Sequence, residues 1–217
     1  MNNHPLNSTA ARLAAVLALI ITLAVIPAAA QMGAGNQFGQ PSTAPGSGMA
    51  GNGTPGAGTC TACTASATPL TATQISQLKY MREEEKLARD LYTALNAKWS
   101  LRVFDRISQS EQRHFDAIGR QLTVNSIADP SADKKAGEFS NTTLQKLYND
   151  LLVRGTTSVK DALEVAIIVE ETDIADLEEI LAAETSATLK RVYNSLLNGS
   201  MAHLDAFEAC VELYNAK

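Results

Sequence analysis

One short phrase occurs twice in this chain. His114-Phe-Asp-Ala-Ile118 and His203-Leu-Asp-Ala-Phe207 share a histidine, an apolar residue, Asp-Ala and a second apolar residue. Each lies in a long stretch whose apolar residues recur every three or four positions, the mark of an amphipathic helix. Repetition of a helical phrase predicts a duplicated helical hairpin, and a lone hairpin cannot bury its apolar face. The chain is thereby confined to helices packed on helices. The surrounding sequence agrees, because residues 70–217 hold only four glycines and a single proline, Pro130, and both residue types weaken a helix interior.

The rest of the chain is of a different kind. Residues 1–30 carry one charge, Arg12, followed by the apolar run Leu13 to Ile26, then Pro27 and Ala28-Ala29-Ala30. That pattern predicts a signal peptide cleaved near Ala30. The run is short for a bilayer span, so no stable membrane anchor is expected after cleavage. No cysteine follows the small residues, so no lipoprotein anchor is expected, and export to the periplasm or secretion beyond it is expected. Residues 31–69 have no Lys, Arg, Asp or Glu and hold nine of the 13 glycines, a composition suited to a disordered linker. Cys60 and Cys63 fall inside it with neither a second pair nor a following histidine. They read as incidental or as a small disulfide-closed loop. Cys210 reads as a small buried apolar residue. All 23 acidic residues and 17 of the 18 basic ones lie in 70–217. That acidic excess argues against nucleic acid or an anionic membrane surface as partner.

Within 70–217 the apolar periodicity places a first helix over about Thr73 to Lys98, with Thr71 and Gln74 in capping-box spacing. Its apolar face is Leu78, Met81, Leu87, Ala88, Leu91 and Leu95. A turn near Trp99-Ser100 leads into a second helix, about Leu101 to Val124, through Phe104, Ile107, Phe115, Ile118 and Leu122. So short a turn forces the pair antiparallel. Pro130 and Gly137 then break the pattern, and a short helix follows over about Thr142 to Val153. Ser158 with Asp161 opens a further long helix to about Ala182, with face Leu163, Ala166, Ile167, Ile174, Leu177 and Leu181. A last helix runs from about Ser186 to Tyr214. Hairpin, long crossover with a short extra helix, hairpin: this all-α order is that of the ferritin-like four-helix bundle.

Several carboxylates stand on the wrong faces for a soluble bundle. On an ideal helix Glu170 falls within the apolar stripe and Asp173 at its edge, while Glu84 lies near the centre of the first helix's stripe and Glu85 on its flank. Glu83 and Glu171 read as solvated. Burying such groups unpartnered costs several kcal/mol each, so compensation is required. With a rise of about 1.5 Å per residue, Glu84, Glu85, Glu111, His114, Glu170, Ser200 and His203 share one slab roughly 20–28 Å from the two hairpin turns. Carboxylates and imidazoles meeting in a bundle core are the donor set of a metal centre. Tyr80, Tyr92, Phe115 and Phe207 read first as core packing, although a tyrosine beside such a site commonly hydrogen-bonds a ligand carboxylate.

These residues carry a resemblance. Glu85-Lys-Leu-Ala-Arg-Asp-Leu-Tyr92 resembles the first-helix ligand phrase of rubrerythrins, and Glu111-x-x-His114 resembles their second-helix motif. The stretches 81–92, 110–114, 170–177 (Glu-Glu-x-Asp-Ile-x-Asp-Leu) and 199–207 (Gly-Ser-x-x-His-Leu-x-Ala-Phe) resemble a ferritin-like domain family of unknown function, over essentially 70–215. The resemblance implies a rubrerythrin-like bundle with Glu85, Glu111 and His114 as ligands and Glu170 with Asp173 as a carboxylate pair. The helical face prefers Glu84 instead. So does the duplication, which pairs Glu84 with Glu170 and Asp90-Leu91 with Asp176-Leu177, and both glutamates stand as candidates. The last helix departs from the di-iron pattern, with Gly199 and Ser200 where a glutamate belongs. A mononuclear or rearranged centre therefore stands beside a dinuclear one, unless Asp173 supplies the missing carboxylate.

Two functions compete. The first is a metal-binding ferritin-like protein of the cell envelope, holding Fe, or Mn or Zn, among Glu84, Glu85, Glu111, His114, Glu170, Asp173 and His203. If redox-active, it would act on O2 or peroxide. The second is a non-catalytic interaction or storage module in which the same groups form a metal-free network. Assembly into a homo-oligomer is compatible with either.

Overall fold

A computed structural model describes residues 69–216; the expected signal peptide, the linker to residue 68 and the Cys60/Cys63 pair lie outside the described residues. The described residues are all-α, with five helices: α1 Ala72–Trp99, α2 Arg102–Val124, α3 Thr142–Gly155, α4 Val159–Ala183 and α5 Ala187–Asn215. Every boundary lies within two residues of its expected place. The side chain of Thr71 accepts from the backbone of Gln74, whose own side chain accepts from the backbone of Thr71, closing the capping box. Ser158 caps α4 by accepting from the Asp161 amide, and Asn141 caps α3. Between α1 and α2 the chain reverses through Ser100 in the left-handed region, φ 53°.

Side-chain contacts fix how the helices run. Tyr92 meets Phe104, and Arg89 meets Gln112, so α1 and α2 are antiparallel. Asp173 meets Ser200 and Glu170 faces His203, so α4 and α5 are antiparallel. Across the hairpins, Gln74 reaches Glu184, Tyr80 reaches Asp176 and Tyr92 reaches Glu170, so α1 and α4 also oppose each other. Phe104 packs on Phe207 while Glu111 lies against His203, so α2 and α5 are antiparallel as well. Each long helix thus opposes both its neighbours, and α3 packs across α1 and α4. Among the described residues no helix is long and apolar enough to cross a membrane.

The core has two apolar clusters. One gathers Leu87, Leu91, Tyr92, Leu95, Phe104, Ile107, Ala166, Val169 and Phe207, among others, with the leucines of α3. The other gathers Leu78, Met81, Ile118, Leu122, Leu177, Ile180, Leu189, Tyr193 and Leu196. On each of the four long helices the polar residues of interest fall between the two clusters: 84–85, 111–114, 170–173 and 200–203. A buried polar layer is clamped between two hydrophobic ones.

Three expectations are corrected. Glu83 is buried rather than solvated, because its carboxylate accepts the amides of Ser140 and Asn141 at the start of α3. Phe115 is half-buried and lies under the guanidinium groups of Arg82 and Arg89 rather than in the core. On α4, Ile167 and Ile174 are half-buried while Val165, Ile168 and Val169 are buried. The expected stripe is one-sided, but α3 covers a second face of that helix. Cys210 is half-buried against the first cluster, and Glu171 is exposed, as expected.

Candidate metal centre

Glu111 and His114 are one turn apart on α2, and His203 comes from the facing turn of α5. One Glu111 oxygen lies 3.1 Å from Nδ1 of His114 and the other lies 2.6 Å from Nδ1 of His203. The two imidazoles are stacked, with centroids 5.4 Å apart and planes at 28°. From each of these residues one ligand atom lies within 4.8 Å of the others, so the group can bind a metal ion. The remaining predicted residues surround it. Glu85 lies 3.4 Å from Nδ1 of His114, and Glu170 lies 3.6 Å from Nδ1 of His203. Asp173 accepts from the Ser200 hydroxyl at 2.5 Å. Glu84 is equally buried but turns to the Tyr80 hydroxyl, 3.5 Å away. Tyr92, at the rim of the first apolar cluster, donates to Glu170 at 2.7 Å.

Backbone packing seats the rings. A Cβ built on Gly199 would stand 2.5 Å from Cε1 and Nε2 of His114, closer than any real contact. Only a glycine there lets the Cε1–Nε2 edge of the imidazole come so close to α5. Beside it Ser200, fully buried, ties Asp173 to α5. The last helix therefore supplies room and a hydroxyl at the two positions where a glutamate is absent.

The hydrogen-bond accounting is incomplete in a specific way. Nδ1 of His114, Nδ1 of His203, Oε1 of Glu111, Oε1 of Glu85, Oε2 of Glu84 and Oδ1 of Asp173 are buried without a hydrogen-bond partner. The two imidazole nitrogens stand at ion-pair distance from Glu111, 3.1 and 2.6 Å. Unmade hydrogen bonds in a dry core cost about 1–3 kcal/mol per group. A cation between the donors would satisfy them together, since ligands sitting about 2.1 Å from one ion stand roughly this far apart.

Charge tells the same story. Among the described residues Glu84, Glu85, Glu170 and Asp173 have no lysine or arginine partner; the buried Arg82 and Lys86 are engaged by Asp129 and Asp90. Burial, then the charge on Glu111, pushes Glu170 up to about 8. Burial is also the first cause for Asp173, which stands at about 7, and for Glu84 and Glu85, both raised well above the carboxylate range. Glu111 goes the other way: burial would raise it, but the two histidines more than reverse this and hold it at about 2. Burial would lower His203, but Glu111 and Glu170 carry it to about 9. His114 is raised for the same reason, chiefly by Glu111. The layer is short of positive charge and takes up protons in its place.

Two neighbours of this layer do not stand out in the sequence. Asp176 is buried and receives the Tyr80 hydroxyl at 3.2 Å. It stands one further turn along the face of Glu170 and Asp173, a spacing visible in Glu-Glu-x-Asp-Ile-x-Asp-Leu. Ser200 reads in the sequence as a residue at the level of the site that stands where a glutamate is missing.

Known proteins are similar to this chain in sequence and fold. Residues 74–217 match the family model described as "Uncharacterized protein domain (DUF2202)". The uncharacterised protein MJ0754 of Methanocaldococcus jannaschii is 42% identical over 136 residues, 63% of this chain and 74% of that protein. The crystal structure of hypothetical protein MJ0754 superposes with a TM-score of 0.67 at 40% identity, covering 68% of this chain and 85% of that one.

Proposed function

The chain belongs to the DUF2202 domain family, and we propose that this member is a ferritin-like metalloprotein exported to the cell envelope. Glu111, His114 and His203 are its primary ligands, with Glu85 and Glu170 completing the shell. One carboxylate and two imidazoles with room for further ligands is a donor set suited to Fe(II), with Zn and Mn as competitors. The observation that carries the reading is the buried convergence of Glu111, His114 and His203, each offering a ligand atom within 4.8 Å of the others. Between Glu84 and Glu85, proximity to His114 favours Glu85 as the ligand.

Iron at such a donor set would supply one-electron chemistry toward dioxygen or peroxide. The protein's own part is more limited and more concrete. Glu111 holds both rings, Tyr92 fixes the orientation of Glu170, Gly199 seats His114, and the two apolar clusters exclude water. Carboxylates that carry protons in the metal-free protein give them up as the cation arrives. Export rests on the sequence of residues 1–30.

Metal analysis of untagged protein is the test. Stoichiometric iron, zinc or manganese that disappears in the His114→Ala/His203→Ala variant, followed by Fe(II)-dependent oxygen or peroxide consumption, supports the reading. Folded wild-type protein that binds none of the three ions would leave a metal-free bundle, an interaction or storage module, as the function.

A further inference from the structure

Two rows of opposite charge run along the face that α2 and α5 form. Arg102, Arg106, Arg113 and Arg120 are exposed and, at about 100° per residue, fall within about 40° of one another on α2. Asp105 and Asp116 lie off this row toward α1, where Asp116 receives the side-chain amide of Gln112. On α5, Asp205, Glu208 and Glu212 form an exposed acidic row. Among the described residues neither row has an ion-pair partner. We propose that a second copy of this chain docks on this face about a twofold axis parallel to the helices, setting Arg102 and Arg106 of each copy against Asp205, Glu208 and Glu212 of the other. This inference rests on no metal.

A row of like charge alone is a solvated face; the match between the two rows is what points to a second copy. Their levels agree. Phe104 packs on Phe207 and Glu111 lies against His203, so residues 102–106 of α2 stand beside 205–212 of α5. Their directions agree as well. Gly199 faces the His114 ring across the seam between the two helices. Counting from those two residues, the arginines lie about 80–120° round α2 on its outer side, and the acids about 120–180° round α5. Nearer the seam, about 40–80° round α5, come Ala202, Ala209 and Leu213, the last 68% exposed. An axis parallel to the helices keeps each residue at its level and exchanges the two sides of the face. The α2 of one copy then lies over α5 of the other, acid over arginine, with the apolar strip between the charged rims. Charge also limits the contact. Arg120 stands level with the exposed Arg191, so the pair closes over the end where α2 begins and α5 finishes.

Sedimentation equilibrium of the full chain is the test. A dimer is expected that weakens from about 0.1 M to 1 M salt, as the screening length falls from about 10 to about 3 Å. Arg102→Glu/Arg106→Glu should weaken it by about tenfold or more, because like charges then face each other. Asp205→Arg/Glu208→Arg should do the same, and mixing the two variants should restore a salt-sensitive heterodimer. Arg120→Glu should instead tighten the pair, since it would meet Arg191 of the other copy. Should a reversal not fold, Arg102→Gln/Arg106→Gln serves, and is expected to lose most of the salt dependence. A wild-type chain that stays monomeric at near-millimolar concentration would overturn the proposal, as would a dimer indifferent to every one of these changes. So would a monomer that binds phosphatidylglycerol vesicles through the same arginines, which would assign the row to a membrane surface.

Discussion

Gly199 carries no side chain, and that gives His114 its place. An alanine methyl would stand 2.5 Å from the ring, so either the imidazole must tilt away from Glu111 or α5 must move. Alanine favours a helix by up to about 1 kcal/mol over glycine, whereas overpacking a filled core costs typically about 1–3 kcal/mol. The second effect wins here, because the opposing atoms belong to a ring held between two helices and not to the free end of a long side chain. Gly199→Ala is therefore expected to lower the stability of the metal-free protein by about 1 kcal/mol net. Its zinc affinity should fall by about tenfold, the scale of losses when a group orienting a ligand is disturbed. Thermal unfolding and a zinc titration check both parts. Affinity unchanged with the fold intact would mean that the ring is placed by Glu111 alone.

At the scale of the element, α1 is the unusual helix. Met81 through Ala88 are all buried, a run that includes Arg82, Glu83, Glu84, Glu85 and Lys86. The charges are shared between two tasks. Glu84 and Glu85 turn into the polar layer. Arg82, Glu83, Lys86 and Asp90 hold the crossover instead, through Asp129, the amides of Ser140 and Asn141, the Lys135 carbonyl and the Gly137 amide. Gly137 can take that position because its φ is +76°. Glu83→Gln should leave metal binding intact yet loosen the start of α3. Losing the charged acceptor of these two amides costs about 1–3 kcal/mol, read as faster hydrogen exchange at residues 140 and 141. Exchange unchanged there would show that Asn141 caps α3 without help. This helix also shows what a sequence can reveal. The helix ends and hairpins were legible because caps and apolar spacing are local signals. So was the shared level of Glu111, His114, Glu170 and His203, which follows from counting residues from each turn. The burial of Glu83 was not legible, because it depends on a crossover that returns from some 57 residues away in sequence. The same holds for α4, whose second covered face comes from α3.

For the molecule as a whole, the acidic layer ties folding to protons when no cation is bound. His203, near 9 against an ordinary 6.5, is raised. A raised group stabilises the fold fully below its unfolded pKa, and that contribution is lost as pH climbs through the folded value. Glu170 at about 8 and Asp173 at about 7, raised by burial from 4.5 and 3.8, act in the same sense. Glu111, near 2 because the histidines more than reverse the effect of burial, acts oppositely: its contribution is present above 4.5 and fades as pH falls toward 2. The metal-free protein should therefore be most stable in mild acid and should lose stability steadily between about pH 6 and 9. A cation replaces those protons, so the loaded protein should show a flat or rising profile over the same range. Loading near neutral pH must release protons, because His203, Glu170 and part of Asp173 still carry them. Melting temperatures with chelator and with zinc, from pH 5 to 9, together with zinc calorimetry in buffers of different ionisation enthalpy, read both quantities. A chelated protein that grows more stable toward pH 9, or zinc uptake without proton release, would mean that the layer is already charged and balanced without a metal. The duplicated histidine phrase would then serve packing rather than coordination.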